Sequence, residues 1–157
     1  MSSAPARPVP PKPLPAILPL ERPYWEAARQ HRLCLQRCAH CGTWRYPASP
    51  VCAQCDSPDY RWEQTTGRGV IVSWVVFHRL YFPSFANELP YNVALIQLTE
   101  GPIVVSNIVE ADRTELHSGL AVEVVFEDRT PEVTVPMFRP ISAGARSNVS
   151  RSSTANP

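Results

Sequence analysis

Net charge and long apolar runs are both scarce in this sequence. Its 157 residues include 15 basic and 14 acidic side chains, so the formal net charge is +1. Proteins that bind nucleic acid mainly through bulk electrostatics are usually strongly basic, and this balance argues against that class. No apolar run approaches the roughly 20 residues that a membrane helix needs, so we expect neither a bilayer span nor a membrane partner.

Secretory and disulfide features are missing as well. Prolines interrupt residues 1–15, where a secretory signal would carry an apolar core, so we expect no export. The cysteine count of five is odd, which suits a reducing compartment better than a disulfide framework. The predicted location is therefore the cytoplasm.

Recognisable catalytic motifs are also lacking. The sequence has no Ser/His/Asp signature, no glycine-rich phosphate loop and no HExxH motif. No sequence context around the four histidines supports a Cys/His nucleophile pair. The sequence thus predicts a chain that is not itself an enzyme.

Proline and charge divide the chain into segments. Of 18 prolines, eight lie between Pro5 and Pro23, so residues 1–18 are predicted to form a disordered, proline-rich tail. Residues 142–157 are mainly Ser, Ala, Asn and Arg and are also predicted to be disordered. Between these tails we predict two modules, at residues 19–64 and 65–141.

The two modules differ in charge. Residues 20–62 contain six arginines and four acids, which gives +2. Residues 63–141 contain five arginines and ten acids, which gives −5. The acidic second module would repel a phosphate backbone.

A short helix is predicted at residues 23–32. Pro23 suits a first helical turn, where its missing N–H costs nothing. Tyr24, Trp25 and Ala28 are spaced so that they share one face. Because a helix of about ten residues is marginal alone in water, this aromatic face must pack, either on its own chain or on a partner.

The second module is predicted to be all β. Strand-like runs occupy residues 69–78, 91–98, 102–109, 122–127 and 133–138, with turns between them and at most one helical turn near Thr114. Five short strands of this size favour a small five-stranded oligonucleotide/oligosaccharide-binding (OB) barrel. Pro136 fits an edge strand or a bulge. The expected fold class is mainly β.

Two CxxC pairs are the strongest chemical signal. Cys38 and Cys41 form one pair, and Cys52 and Cys55 form the other after ten intervening residues. Two such knuckles supply the tetrahedral four-sulfur site that zinc prefers, with no open position for catalysis. The sequence predicts one structural zinc per chain in a rubredoxin-like ribbon. Cys34, four positions before Cys38, is either a further ligand or a strand residue.

Other interpretations of the four cysteines remain open. Iron has the same ligand preferences here. Two disulfides fit the predicted compartment badly, and a redox CxxC pair leaves the second pair unexplained.

The sequence resembles a known family at several places. These are PYWEAARQHRLCLQRCAHCGTWRYP, PASPVCAQC, GRGVIVSWVVFHR, FPSFANELPYNVALIQLTEG and SGLAVEVVFE. They resemble the acyl-CoA-associated zinc-ribbon/OB-fold proteins, long called a domain of unknown function, over residues 19–141.

The resemblance implies an accessory role. Members of that family look like non-catalytic partners of thiolase-like enzymes, including lipid-transfer-type aldolases of steroid side-chain degradation, and some occur beside or fused to MaoC-type enoyl-CoA hydratases. The expected function is to bind and stabilise such a catalytic subunit and to help enclose or channel its acyl-CoA thioester. Two alternatives remain: a single-stranded nucleic-acid binder, and a ribbon that recruits a protein without contacting CoA.

The loop at residues 78–90 is the predicted contact region. Large apolar side chains crowd it, and they either cap the barrel or stay exposed as a binding surface. Exposed rings would suit a substrate tunnel or a pantetheine arm, and Arg79 would suit a CoA phosphate or a partner carboxylate. The candidate partner or CoA contacts are Tyr24, Trp25, His78, Arg79, Tyr81, Phe82 and Phe85.

Overall fold

The computed structural model describes residues 11–141. The predicted disorder of residues 1–10 and 142–157 lies outside this part of the chain, and residues 11–18 form neither helix nor strand. No helix among the described residues has both the length and the apolar character needed to cross a membrane.

The N-terminal helix packs on its own chain. A 3₁₀ turn at Pro19–Glu21 leads into α1, Arg22–Arg29, with Pro23 in the first turn. Ala27 and Ala28 are buried, and Tyr24 packs against the hydrophobic core. The helix is shorter than predicted because the chain turns at its end, where His31 adopts a φ of 53°.

The ribbon is a three-stranded antiparallel sheet. Its strands are β1 (Cys34–Cys38), β2 (Trp44–Arg45) and β3 (Tyr60–Gln64), in the order β2-β1-β3. β3 pairs with β1 along its whole length, so the chain returns to the ribbon after the second CxxC pair.

The remaining strands form the OB barrel. They are β4 (Arg68–Phe77), β5 (Tyr91–Leu98), β6 (Ile103–Ser106), β7 (Ala121–Asp128) and β8 (Thr134–Pro140). The sheet order is β6-β5-β4-β7-β8, and a parallel bridge between Ile108 and Phe138 joins the two edges. The predicted fold class is therefore confirmed. β6 is shorter than predicted because the backbone of residues 107–109 bonds to Phe138 in place of the β5 backbone, while Asn92 of β5 holds Ile108 through its side chain.

Ribbon and barrel share one hydrophobic core. Leu33 and Leu35, which precede and lie in β1, pack in the same cluster as Ile71 and Phe138 of the barrel. Thr65, between the modules, donates from its N–H and its hydroxyl to the Leu33 carbonyl at 2.9 and 3.0 Å. The helix, the ribbon and the barrel are thus packed as one unit in the described part of the chain.

Candidate metal centre and partner-binding loop

The two CxxC knuckles adopt the same backbone turn. In each, the first cysteine donates its N–H to the carbonyl five residues later and accepts from the N–H four residues later. The N–H groups of Cys38 and Cys52 donate over 2.8 and 2.9 Å. Their carbonyls accept from the N–H groups of Gly42 and Asp56 over 3.1 and 2.9 Å. Gly42 and Asp56 both have positive φ, 75° and 56°, a conformation that glycine and aspartate tolerate better than most residues.

This repeated turn brings four sulfurs together. Cys38 Sγ lies 3.7 Å from Cys55 Sγ, and Cys41 Sγ lies 3.6 Å from Cys52 Sγ. All four atoms lie within 4.8 Å of one another. Four sulfurs held at about 2.3 Å from one zinc ion are about 3.8 Å apart, whereas a disulfide needs about 2.05 Å. The cluster therefore fits a tetrahedral metal site and not two disulfides.

The surroundings of the thiols favour the thiolate form unequally. A hydrogen bond from the backbone N–H of Cys41 lowers the pKa of Cys38 to about 5. The hydroxyl of Thr43 lowers the pKa of Cys41. The Ser57 backbone acts to lower the pKa of Cys55, but burial and the other thiols outweigh it and raise the value to about 12. Four thiolates together need a cation, as expected of a metal ligand set.

Arg45 supplies a buried positive charge next to the cluster. Its side chain is 6% exposed, and its Nη2 atom donates to the Ser57 and Asp59 carbonyls at 3.0 Å each. Burial alone would lower the pKa of Arg45, but its hydrogen bond and charge attraction to Cys38 raise it. Arg45 thereby ties β2 to the second knuckle and offsets part of the thiolate charge.

Cys34, the possible further ligand, and His40, the histidine within the first CxxC pair, both lie outside the sulfur cluster. Cys34 begins β1 and is buried, and burial raises the pKa of its thiol. His40, within the first knuckle, is exposed. The cluster holds only the four paired cysteines among the described residues.

The aromatic loop is partly packed and partly exposed. It contains a 3₁₀ helix at Pro83–Glu88, which the sequence analysis did not predict. Phe85 packs on Tyr91 with ring centroids 5.9 Å apart. Leu80, Tyr81 and Phe82 stay 45%, 57% and 55% exposed. The loop thus follows neither alternative completely: one ring folds back, and three large side chains face solvent.

The polar candidates lie beside these rings. His78 follows β4 directly and is exposed. The guanidinium of Arg79 lies over the Tyr81 ring at 5.5 Å from its centroid. On the other side of the loop, Lys12 lies over the Phe85 ring at 5.4 Å and forms an ion pair with Glu88.

Tyr24 and Trp25 are far less exposed than the loop rings. Their rings meet edge to face at 5.1 Å, and burial raises the pKa of the Tyr24 phenol. Both line a cavity of about 240 Å³ between helix, ribbon and barrel, with Arg45 and Trp62 among its other walls. The Trp25 indole N–H is buried there without a hydrogen-bond partner in the described residues. Sequence reasoning missed this cavity because its lining residues are far apart in the chain.

The site and fold define a class: a structural-zinc ribbon joined to an OB barrel. Residues 25–61 match the family model of the ChsH2 rubredoxin-like zinc ribbon domain, and residues 62–127 match that of the ChsH2 C-terminal OB-fold domain. The predicted structural zinc is thereby confirmed, since a zinc-ribbon match and a clustered four-cysteine set coincide.

Curated relatives and a solved structure agree on the family. A DUF35 domain-containing scaffold protein of Pyrococcus furiosus is 33% identical over 104 residues, which cover 65% of this chain and 74% of that protein. The chain also matches the solved structure named Ltp2-ChsH2(DUF35) aldolase with a TM-score of 0.74 and 40% identity, covering 81% of this chain and 98% of that one. The chain belongs to the DUF35 family, as the sequence resemblance predicted.

Two relatives are much longer than the matched region. A probable enoyl-CoA hydratase alpha subunit of Thermomonospora curvata is 40% identical over 129 residues, which are 82% of this chain and 40% of that protein. The 3-oxo-4,17-pregnadiene-20-carboxyl-CoA hydratase alpha subunit of Mycobacterium tuberculosis is 30% identical over 105 residues, 67% of this chain and 33% of that protein. The chain thus spans two fifths or less of these two relatives.

Proposed function

We propose that this chain is a non-catalytic, cytoplasmic accessory subunit that binds and stabilises a thiolase-like acyl-CoA enzyme, specifically a steroid side-chain aldolase. The observation that carries the proposal is the 40% identity to a chain of the solved Ltp2-ChsH2(DUF35) aldolase, 98% of which this chain covers. The name of the Mycobacterium tuberculosis relative, a pregnadiene-carboxyl-CoA hydratase subunit, supports a steroid CoA ester as the shared ligand.

A scaffolding role agrees with the chemistry of the metal site. We propose Cys38, Cys41, Cys52 and Cys55 as the zinc ligands, and a closed four-sulfur site has no position for substrate or water. The relative from Pyrococcus furiosus is likewise named a scaffold protein. Zinc would hold the ribbon in shape, and the chemistry would belong to the partner.

The exposed loop is proposed to border the partner's CoA ester. Tyr81 and Phe82 offer apolar surface to a pantetheine arm, with Phe85 holding the loop on the sheet. His78 and Arg79 lie next to them, and Arg79 can meet a CoA phosphate. Tyr24 and Trp25 are proposed to contact the partner from the cavity under the helix, which both of them line. A MaoC-type hydratase is a second proposed partner.

The partner is tested by copurification from the native cell. Tagged chain should retain a thiolase-like or aldolase subunit, identified by mass spectrometry, and that subunit should be more stable and more active with the chain than without it. The purified chain alone should show no turnover of acyl-CoA thioesters. Steady hydrolysis or cleavage by the chain alone, or recovery of nucleic acid in place of an acyl-CoA enzyme, would contradict the proposal.

The loop is tested in the reconstituted complex. With the chain in saturating excess, so that the complex is fully formed, Phe82→Ala and Arg79→Ala should raise KM for the CoA ester several-fold, because contacts to substrate are lost. Arg113→Ala is the matched control, since Arg113 is an exposed arginine in a separate 3₁₀ turn at Arg113–Glu115. An unchanged KM in both loop variants would favour a scaffold that does not touch CoA.

A further inference from the structure

The outward face of β4, β5 and β6 is apolar where a solvated face is normally polar. Side chains alternate along a strand, so the burial of Ala94, Ile96 and Leu98 places the intervening residues of β5 outside the barrel. The strand register puts their partners on β4 and β6 on the same face, and Val72, at the bulge between Ile71 and Ser73, is also exposed. Six aliphatic side chains are exposed on it by 39% to 57%: Val70, Val72, Val75, Leu95, Ile103 and Val105.

This sheet face continues into the aromatic loop. Phe77 and Tyr91 are register partners on the same outward side, and their rings stack at 5.2 Å. Tyr81 contacts the Phe77 ring edge to face at 6.1 Å, and Phe85 covers Tyr91 from the loop. The sheet residues and the exposed Leu80, Tyr81 and Phe82 are therefore one surface, called here the apolar face.

The area of the apolar face matches one side of a stable protein complex. The nine exposed side chains present on the order of 800 Å², about what each partner buries in a standard-sized interface. The largest apolar patch on a typical monomer is smaller, roughly 300–600 Å². The surface is open sheet, so it suits a folded partner better than a small molecule, which binds in a concave pocket.

Charge decides between the candidate occupants. The outward positions from Val70 to Phe77, from Tyr91 to Gln97 and at Ile103 and Val105 include no charged side chain. A nucleic-acid strand needs cations along such a face. A second copy would bring together two acidic segments, residues 63–141 of each chain, with −5 each, and these repel.

We propose that the catalytic subunit docks on this apolar face, through an aliphatic or aromatic patch of its own with a neutral to basic rim. This inference rests on the proposed function, and it adds which surface of the chain the catalytic subunit contacts. One contact would then cover both the sheet and the loop, so that docking places the loop rings at the partner's substrate opening.

The test introduces a charge at the centre of the face. Leu95→Glu is the main variant, and Val51→Glu is its matched control, because Val51 is an aliphatic side chain of the ribbon with similar exposure, 47% against 41%. The probe is the purified thiolase-like subunit identified by the copurification above. Melting temperature and zinc content establish that each variant is folded. If Leu95→Glu melts lower than the wild-type chain, Leu95→Gln and Val105→Thr replace it.

We expect Leu95→Glu to weaken binding of that subunit at least tenfold and Val51→Glu to leave it unchanged. Equal binding by both variants would overturn the docking surface and leave the proposed function standing. A wild-type chain that retains no thiolase-like subunit would overturn the proposed function and the surface with it. A wild-type dimer in sedimentation, or oligonucleotide binding, that Leu95→Glu abolishes would assign the face to a second copy or to nucleic acid.

Discussion

Gly67 satisfies two constraints at the junction of the two modules. Its φ of +70° is left-handed, and a Cβ at this position would lie 2.5 Å from Val124 Cγ1. Its carbonyl also accepts a hydrogen bond from the Val124 N–H at 2.7 Å. Glycine is required here for both backbone conformation and space.

Substitution can separate these two constraints. Gly119 also has positive φ, +87°, but a Cβ there would meet nothing within 4 Å. Gly119→Ala should therefore lower the free energy of unfolding by about 1 kcal/mol, the conformational cost alone. Gly67→Ala should lower it by about 3 kcal/mol, because overpacking against Val124 is added. Urea unfolding with zinc present measures both values, and equal costs would show that Val124 moves aside freely.

Asp128 is one of the carboxyls, with Glu63 and Asp112, whose pKa is lowered in the folded chain. Thr134 Oγ1 donates to its carboxylate at 2.7 Å and His31 lies 3.2 Å away, and these contacts lower its pKa. A carboxyl with a lowered folded-state pKa stabilises the fold above its ordinary pKa. This stabilisation is lost as the pH falls through the folded value.

Removal of the hydroxyl should reverse this shift. In Thr134→Val the pKa of Asp128 should rise toward its ordinary value, followed by carbon NMR of the carboxyl group. The variant should be less stable than the wild-type chain at neutral pH, and the difference should shrink below about pH 4. A pKa unchanged by the substitution would assign the shift to His31.

At the scale of elements, the ribbon depends on its metal as well as on the core that it shares with the barrel. A module of about 40 residues can bury little surface, so metal binding contributes folding free energy directly. The two knuckles hold their sulfurs with the same pair of backbone hydrogen bonds. Loss of one ligand therefore leaves three thiols around an ion that requires four.

Cysteine substitution tests this dependence. Cys38→Ser and Cys52→Ser should each abolish the one zinc per chain and unfold the ribbon, with loss of partner binding. Cys34→Ser is the matched control, since Cys34 is also buried but outside the cluster. Metal analysis and circular dichroism provide the measurements. Full zinc content in Cys52→Ser would contradict the ligand assignment.

The sequence predicted the strands whose own residues show a β pattern, and it missed elements that form through contacts with other parts of the chain. β5 was predicted at its observed bounds because Tyr91–Leu98 is rich in β-formers and followed by a Gly-Pro turn. β3 was missed because Tyr60–Gln64 contains two charged residues and becomes a strand through pairing with β1. The 3₁₀ helix at Pro83–Glu88 was missed because it is too short to show a helical period.

The candidate site was also predictable only where residues close in sequence form it. The CxxC spacing alone identified the four sulfurs that cluster. The apolar face was not identified, because in one sequence an exposed valine of a strand looks the same as a buried one. The cavity at Trp25 likewise depends on how helix, ribbon and barrel come together.

At the scale of the whole molecule, the shared core predicts that both modules unfold together. Leu35 of the ribbon and Ile71 of the barrel belong to the same buried hydrophobic cluster. Variants that keep only Trp62 of β3 or only Trp74 of β4 report on each module separately. Their urea transitions should coincide for zinc-loaded protein, as in a two-state system. Two separate midpoints would show that the modules are coupled only weakly.

The position of Lys12 has a practical consequence for studying the assembly. It is the sole lysine of the chain, and it lies over Phe85 in the aromatic loop. Burial lowers the pKa of its amine. In protein whose α-amine is blocked, an amine-directed fluorophore would therefore label one side chain, at the loop, without any engineered thiol. Its emission would report when a partner arrives.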